Sequence, residues 1–235
     1  MSRTGFESYL SSSTNQYIRD GNAWFSRVED GVLRFSSHSA GLGREIAQLR
    51  GDSATAQKLG AIASGMDAGR AMVGSTRFIF PVHNLVTGQM FWQTNNEGWA
   101  RDQNGQYITR DWMDIAMDIL ALFARLITPI RLLHHFKVYD LGHHASRGLS
   151  GASMGLWGSV LAINMVQVTR DLVTETDTQV IHKRAWDGIQ SGIDFIALPF
   201  DFGLGANHPA LAITGAVLNI ASAGSMLAKD ILCYG

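Results

Sequence analysis

Residues 148–169 read GLSGASMGLWGSVLAINMVQVT and contain no Asp, Glu, Lys or Arg. As a helix, this stretch covers ~33 Å, close to the ~30 Å thickness of the hydrocarbon core of a bilayer. Residues 202–228 lack the same four residue types. Two such stretches predict helices that lie in or against a membrane. Burial inside a large soluble helical protein is the alternative, because Asn164 and Gln167 lower the hydropathy of the first stretch.

Small residues recur in both stretches at the spacing of one helix face. Gly151, Gly155 and Ser159 follow one another at intervals of four residues, which predicts close contact with another helix. The second stretch has a similar face that includes Gly215 and Ala223. These five residues are therefore predicted to be helix-packing positions.

The composition supports a membrane location. Charged residues make up 17% of the chain, whereas soluble domains usually have roughly 25%. A surface that faces lipid needs no charged cover. The net charge is -1 and the basic residues are scattered, which argues against a nucleic-acid partner. The single cysteine, Cys233, excludes an internal disulfide and a cysteine-ligated zinc site.

Four other segments carry apolar residues at helical spacing, with charged residues on their remaining faces: residues 14–36, 54–79, 110–136 and 177–200. Each is predicted to be an amphipathic helix that packs on other helices or rests at a bilayer interface. Residues 37–43 are predicted to form a turn before a short helix over residues 44–50. Ser53 is the predicted N-cap of the next helix. Residues 81–109 are irregular and predict a solvent-facing loop.

The predicted fold class is all-α. Residues 1–109 are expected to form an amphipathic helical region with a polar loop, and residues 110–235 a membrane-associated helical region, the two making one integrated unit. In the helix over residues 110–136, Asp114, Asp118 and Arg125 are predicted to form a solvated face. A buried polar network or a proton relay is the alternative.

One short motif of the sequence also occurs around the catalytic serine of hydrolases. Residues 151–155 read GASMG and match the GxSxG pattern of serine hydrolases. In those enzymes the serine stands on a strained turn after a buried strand, and the residues that precede this motif do not have a strand pattern. Asp201 and His208 follow in the chain order of a catalytic triad. Hydrolysis by Ser153 is therefore a minor alternative, and the protein is predicted not to be an enzyme.

Four histidines and an aspartate cluster within residues 134–144, where imidazole and carboxylate groups can ligate zinc or a similar metal. Adjacent histidines on a helix point in different directions, so at most one of each pair can face a shared site. The candidate ligands are His135, His144 and Asp140. Histidines near a helix end are common without a metal, so neither a metal nor a cofactor is predicted.

The N-terminal residues carry no recognisable targeting segment. The first twenty residues lack the apolar core of a secretory signal. Glu7 and Asp20 argue against a mitochondrial presequence. No cleaved signal peptide is therefore expected.

Several segments together resemble a known family. Residues 27–35 read RVEDGVLRF, and Arg70 and Arg77 follow in the second predicted helix. Near the C terminus, residues 193–199 read IDFIALP, and residues 215–227 form a glycine-bearing apolar segment. In order and residue class these segments resemble the peroxin eleven family of peroxisomal membrane-elongation proteins. This chain has glycine and alanine where the second helix of that family usually has more lysine and arginine.

The resemblance implies a non-enzymatic protein that shapes or scaffolds a membrane through amphipathic helices and helix–helix self-association. Its partners would be membrane lipid and other copies of the chain, and its location a peroxisomal or glycosomal membrane. The alternative is an accessory structural subunit of a large organellar membrane complex, such as a respiratory or ATP synthase assembly. That interpretation predicts unlike membrane subunits as partners and the mitochondrial inner membrane as the location.

Overall fold

The computed structural model describes residue 9 and residues 13–95, 98–205 and 207–234; at residues 13, 98, 135, 230, 233 and 234 it describes only the course of the backbone. The helices are α1 (Ser13–Ser26), α2 (Arg34–Leu49), α3 (Ser53–Thr76), α4 (Ile79–Val86), α5 (Trp112–His135), α6 (Gly142–Thr174), α7 (Thr178–Asp201) and α8 (Pro209–Tyr234). A π-helical segment, Arg27–Leu33, joins α1 to α2 without a break. The two-residue strands β1 (Thr94–Asn95) and β2 (Gly98–Trp99) pair antiparallel. The fold class is all-α, as predicted.

Aspartate side chains cap three of the helices. Asp52, Asp111 and Asp177 each accept a hydrogen bond from a backbone N–H in the first turn of α3, α5 and α7. The donors are Thr55, Met113 and Gln179, at 3.0, 2.9 and 2.8 Å. Such a cap stabilises a helix by ~1 kcal/mol. The prediction of Ser53 as the N-cap is wrong by one residue, because the Asp52 carboxylate takes that role.

The predicted turn over residues 37–43 and the separate helix over residues 44–50 are wrong. Helix α2 runs unbroken through both ranges. Serine, histidine and glycine form helices weakly, but α2 packs along both α3 and α8. A Cβ on Gly43 would lie 3.0 Å from Leu59 Cδ1, so glycine lets α2 and α3 approach each other. Packing with distant helices has overridden local propensity here.

The predicted loop over residues 81–109 is more ordered than expected. Helix α4 covers its beginning, and the β1–β2 hairpin lies in its middle. The backbone bridges Trp92 to Thr109 and Arg101 to Tyr107 extend the pairing on both sides of the hairpin. Helix α4 contacts α1 and α5, so this region packs against the helical part of the chain.

Among the described residues, the six long helices form a ring. In order around the ring they are α2, α3, α5, α6, α7 and α8, and α8 packs back on α2. The contacts between α3 and α5 and between α2 and α8 both cross the predicted boundary at residues 109 and 110. The packing therefore does not separate the two predicted regions.

The side chains inside and outside this ring are distributed the opposite way from a soluble protein. Buried apolar residues are mostly alanines, and Ala124, Ala197 and Ala223 have no exposed surface. Large apolar side chains cover the outside, where Phe123 is 54% exposed and Ile62 50% exposed. In soluble proteins such residues are mostly buried. Small and polar residues at helix contacts, with large apolar residues outside, are typical of helices packed within lipid.

Helices α6 and α8 are the two helices of the described chain that are long and apolar enough to cross a membrane. Only 6% of the apolar stretch in α6 is buried within the protein, and 28% of that in α8. The core helix of a soluble protein would be mostly buried. Both helices are therefore compatible with a membrane location.

Candidate functional site

Charged side chains gather inside the ring around the π-helical segment. We call them the interior charge cluster, which consists of Glu29, Asp30, Arg34, Arg77, Arg125, Asp194 and Asp201. The backbone N–H of Arg34 bonds to the carbonyl of Glu29, five residues earlier, as in a π-helix. Glu29 and Arg34 thus stand one wide turn apart. Single π-helical turns are rare and are frequent at functional sites.

Arg34 is the centre of one half of the cluster. Its side chain is 7% exposed, and its Nη1 donates to Asp194 Oδ1 at 2.6 Å. Its Nε donates to Asn219 Oδ1 at 2.8 Å, and Nη1 also donates to Ser222 Oγ at 3.0 Å. Asp201 lies 3.5 Å from Nη2. Burial alone lowers the pKa of Arg34, but the carboxylates of Asp194 and Asp201 outweigh it and raise that pKa.

Arg77 is the centre of the other half. Its Nη1 donates to Glu29 Oε2 at 2.5 Å and to Asp30 Oδ2 at 2.8 Å. Arg125 Nη1 lies 3.8 Å from the same Glu29 oxygen. A Cβ at Gly74 would collide with the Glu29 carboxylate, so glycine leaves room for this pairing. Burial raises the pKa of Glu29, and the negative charge of Asp30 raises it further.

His38 lies beside the Arg34 half of the cluster. Its Nε2 is 3.9 Å from Asp201 Oδ1, beyond hydrogen-bond distance, and has no hydrogen-bond partner among the described residues. The hydroxyl of Ser37, the preceding residue, donates to Asp67 at 2.5 Å. Burial lowers the pKa of His38 to about 4. His38 is therefore neutral at physiological pH.

The cluster joins the π-helical segment and α2 to four other helices of the ring. Arg77 is the C-cap of α3, Arg125 belongs to α5, and Asp194 and Asp201 belong to α7. Asn219 and Ser222, which accept hydrogen bonds from Arg34, belong to α8. Paired charges in an interior specify register, because a shifted helix would leave one of them without its partner. In a protein surrounded by lipid, ionisable groups are expensive and mark functional or structural sites.

The solvated face predicted for α5 is wrong. Arg125 is 14% exposed, contacts Glu29, and its guanidinium lies 5.2 Å from the centre of the Trp157 ring. Asp114 accepts a hydrogen bond from Gln167 Nε2 at 2.7 Å, and Asp118 pairs with Arg110 at 2.5 Å. The large apolar residues of α5 lie on the outside instead. The three residues do not form one network, because Arg125 contacts the π-helical segment, Asp114 contacts α6, and Asp118 contacts Arg110 just before α5.

The candidate metal ligands lie at the exposed end of α5 and the start of α6. The Asp140 side chain is 88% exposed, lies 3.7 Å from His134 Nδ1, and accepts a hydrogen bond from Gly142 N. His144 is exposed, and the side chain of His135 lies outside the described residues. Within the described chain, no three His, Cys, Asp or Glu side chains are arranged to hold a metal ion.

The predicted packing residues of α6 face outward. A Cβ at Gly151 or Gly155 would meet no atom within 4 Å, and Ser159 is exposed, with its hydroxyl bonded to the carbonyl of Gly155 at 2.9 Å. Ser153, on another side of α6, is 2% exposed. It lies within a continuous helix rather than on the strand-to-helix turn that a hydrolase nucleophile occupies.

The predicted packing residues of α8 face inward. Ala223 has no exposed surface, and a Cβ at Gly215 would lie 2.7 Å from Phe200 Cβ. Phe200 Cβ is attached directly to the backbone of α7 and cannot swing away. Glycine at this position therefore sets how closely α7 and α8 approach.

We expect Gly215→Ala to destabilise the protein by about 1–3 kcal/mol, since α7 and α8 must separate to admit the methyl group. Gly224→Ala on the same helix is the matched control, because a Cβ there meets open space. Alanine in a helix interior is favoured over glycine by ~1 kcal/mol, so this variant should be slightly more stable. Thermal unfolding in detergent, followed by circular dichroism, measures both. Equal unfolding temperatures for the two variants would contradict this account.

Most of the interior charge cluster was missed by sequence reasoning. The apolar periodicity of residues 14–36 and 177–200 predicts their charged residues on the faces away from the core, as in a soluble amphipathic helix. The sequence feature that indicates the cluster is the small-residue face of α8, because this face also contains the polar residues Asn219 and Ser222. Polar residues on a small-residue face indicate a polar partner on the neighbouring helices.

No protein-family model, curated protein or solved structure matches the chain. The resemblance to the peroxin eleven family therefore stays a prediction, and the function is inferred from the geometry of the chain itself.

Proposed function

We propose that the chain is a non-enzymatic, membrane-embedded structural protein that scaffolds or shapes its membrane by self-association. The observation that carries this proposal is the inverted distribution of side chains in the ring. Large apolar side chains exposed in this number need lipid or protein to cover them. The charged groups of the interior charge cluster pair with one another, and such pairing favours a structural role for the cluster.

The outward face of α6 is the proposed contact between copies. Gly151, Gly155 and Ser159 provide a shallow surface on which a second helix can approach closely. No other helix of the described chain covers the two glycines. A rigid ring that associates through one such face can form a lattice on the membrane and impose a curvature. The peroxisomal membrane suggested by the resemblance is the location that we propose.

Self-association is tested by replacing Gly155 with leucine. We expect Gly155→Leu to weaken association at least about tenfold, because the side chain keeps the two helix backbones apart. The measurement is disulfide cross-linking of a Ser159→Cys variant, in a Cys233→Ser background, reconstituted into phosphatidylcholine vesicles. Gly192→Leu on α7 is the control, since that glycine also faces open space.

Membrane shaping is read from the same samples by electron microscopy of the vesicles. The unsubstituted protein should produce elongated vesicles, and Gly155→Leu should leave them round. If Gly155→Leu cross-links as well as the Gly192→Leu control, α6 is not the contact. Recovery of the protein in the soluble fraction after carbonate extraction from native membranes would overturn the membrane location itself.

A further inference from the structure

A cavity of about 940 Å³ opens where α5 ends and α6 begins. Apart from Asp67, its α3 wall consists of small residues, which leave the space open: Gly60, Ala63, Ser64, Ala68 and Ala71. On the opposite side lie Arg131 of α5 and Ser146 and Ser150 of α6. The volume falls within the range of about 300–1,000 Å³ that is usual for small-molecule sites. We call this space the α3–α5 cleft.

Arg131 is the residue that distinguishes this cleft. Its guanidinium lies 5.1 Å from the centre of the Phe202 ring, and no carboxylate of the described residues pairs with it. Burial lowers the pKa of Arg131, and no neighbouring charge counteracts this. Arg34 and Arg77, in contrast, both have carboxylate partners. A partly buried guanidinium without an anion is costly, so a bound anion would stabilise it.

Besides Arg131 and Lys137, the charged groups that line the cleft are Asp67, Asp140 and Arg44. Asp67 accepts the Ser37 hydroxyl, Asp140 accepts the Gly142 N–H, and Arg44 is paired with Glu45 at 2.5 Å. Lys137, like Arg131, has no carboxylate partner among the described residues, and it lies six residues further along the chain at the same mouth. Asp67 and Asp140 keep their negative charge, but neither pairs with Arg131 or Lys137 among the described residues, so these two cations remain available to a ligand.

We propose that the α3–α5 cleft binds a phosphate-bearing anion, with Arg131 as the principal ligand and Lys137 as the second. A guanidinium donates two parallel hydrogen bonds to phosphate oxygens, and the hydroxyls of Ser146 and Ser150 add further donors. The phosphate can belong to a lipid headgroup or to a free phosphate ester. This inference does not depend on self-association, because the outward face of α6 is not part of the cleft.

The two sources are separated by binding measurements on the full chain in nanodiscs of phosphatidylcholine. In the first, glycerol 3-phosphate is titrated into the sample and binding is followed by calorimetry. In the second, phosphatidylglycerol is added to the nanodiscs, and native mass spectrometry counts the lipids that stay bound. We expect saturable binding in one of these measurements. Arg131→Gln should weaken that binding at least about tenfold, and Arg131→Lys should weaken it less.

Lys58→Gln is the charge-matched control, because Lys58 is exposed on α3 outside the cleft. Its binding should equal that of the unsubstituted protein. If Arg131→Gln does not fold, Lys137→Gln, at an exposed position, gives the second test and should weaken binding about threefold. The monomeric Gly155→Leu variant should bind normally, which separates this proposal from self-association. Equal binding by Arg131→Gln and Lys58→Gln, or no binding in either measurement, would overturn the proposal.

Discussion

Arg34→Met is expected to lower the free energy of unfolding by about 3 kcal/mol, more than any other single substitution considered. The change removes the cation but leaves the carboxylates of Asp194 and Asp201 facing the interior without a partner. Breaking a buried pair in this way usually costs about 3–5 kcal/mol. The lower value applies because the two carboxylate side chains are 17% and 19% exposed. Chemical unfolding in detergent, followed by circular dichroism, measures the loss.

Two further variants test the cause of this loss. Arg50→Met, at the exposed end of α2, should change stability by no more than about 0.5 kcal/mol, because its side chain is outside the cluster. Adding Asp194→Asn to Arg34→Met should recover part of the loss, since the unpaired charge is removed. If Arg34→Met were no worse than Arg50→Met, the interior charge cluster would not stabilise the fold.

His38 is expected to make the protein less stable in acid. Burial lowers the pKa of His38 to about 4 in the folded state, whereas an unfolded histidine titrates near 6.5. Above pH 6.5 the His38 side chain is neutral in both the folded and the unfolded state, so its burial costs the folded state no loss of a proton and the protein has its full stability. As the pH falls from about 6.5 to about 4, only the unfolded state takes up the proton, so stability is lost. With the side chain 21% exposed, the loss amounts to about 2–3 kcal/mol.

The measurement compares the unfolding free energy of the protein with that of His38→Gln at pH 7.5 and pH 5. The glutamine variant should lose less stability between these two values, because it has no proton to take up. His208→Gln is the control, since His208 is exposed and should keep the original pH dependence. The raised pKa of Glu29 makes the folded state more stable as the pH falls, the opposite of the effect of His38. Both variants retain Glu29, so its contribution cancels when they are compared. Parallel pH profiles for His38→Gln and His208→Gln would refute this role of His38.

Local patterns in the sequence are sufficient to locate several of the long helices. The uncharged run of residues 148–169 lies within α6, and the apolar periodicity of residues 110–136 corresponds to α5 within two residues. A helix satisfies its backbone hydrogen bonds within itself, so spacing along the chain is enough to indicate it. The same argument failed for residues 37–43, where only packing against α3 and α8 makes weak helix formers helical.

Which face of each helix turns inward was decided by tertiary structure. Phe123 and Arg125 lie two residues apart on α5, and the hydrophobic pattern assigned the phenylalanine to the core and the arginine to solvent. The structure has the reverse, because Arg125 meets Glu29 inside the ring. The partner of Arg34 is Asp194, 160 residues away in the chain. Periodicity shows that a helix has two different faces. Which face is buried depends on pairing between residues that are distant in the chain. That pairing forms only when the ring of helices closes.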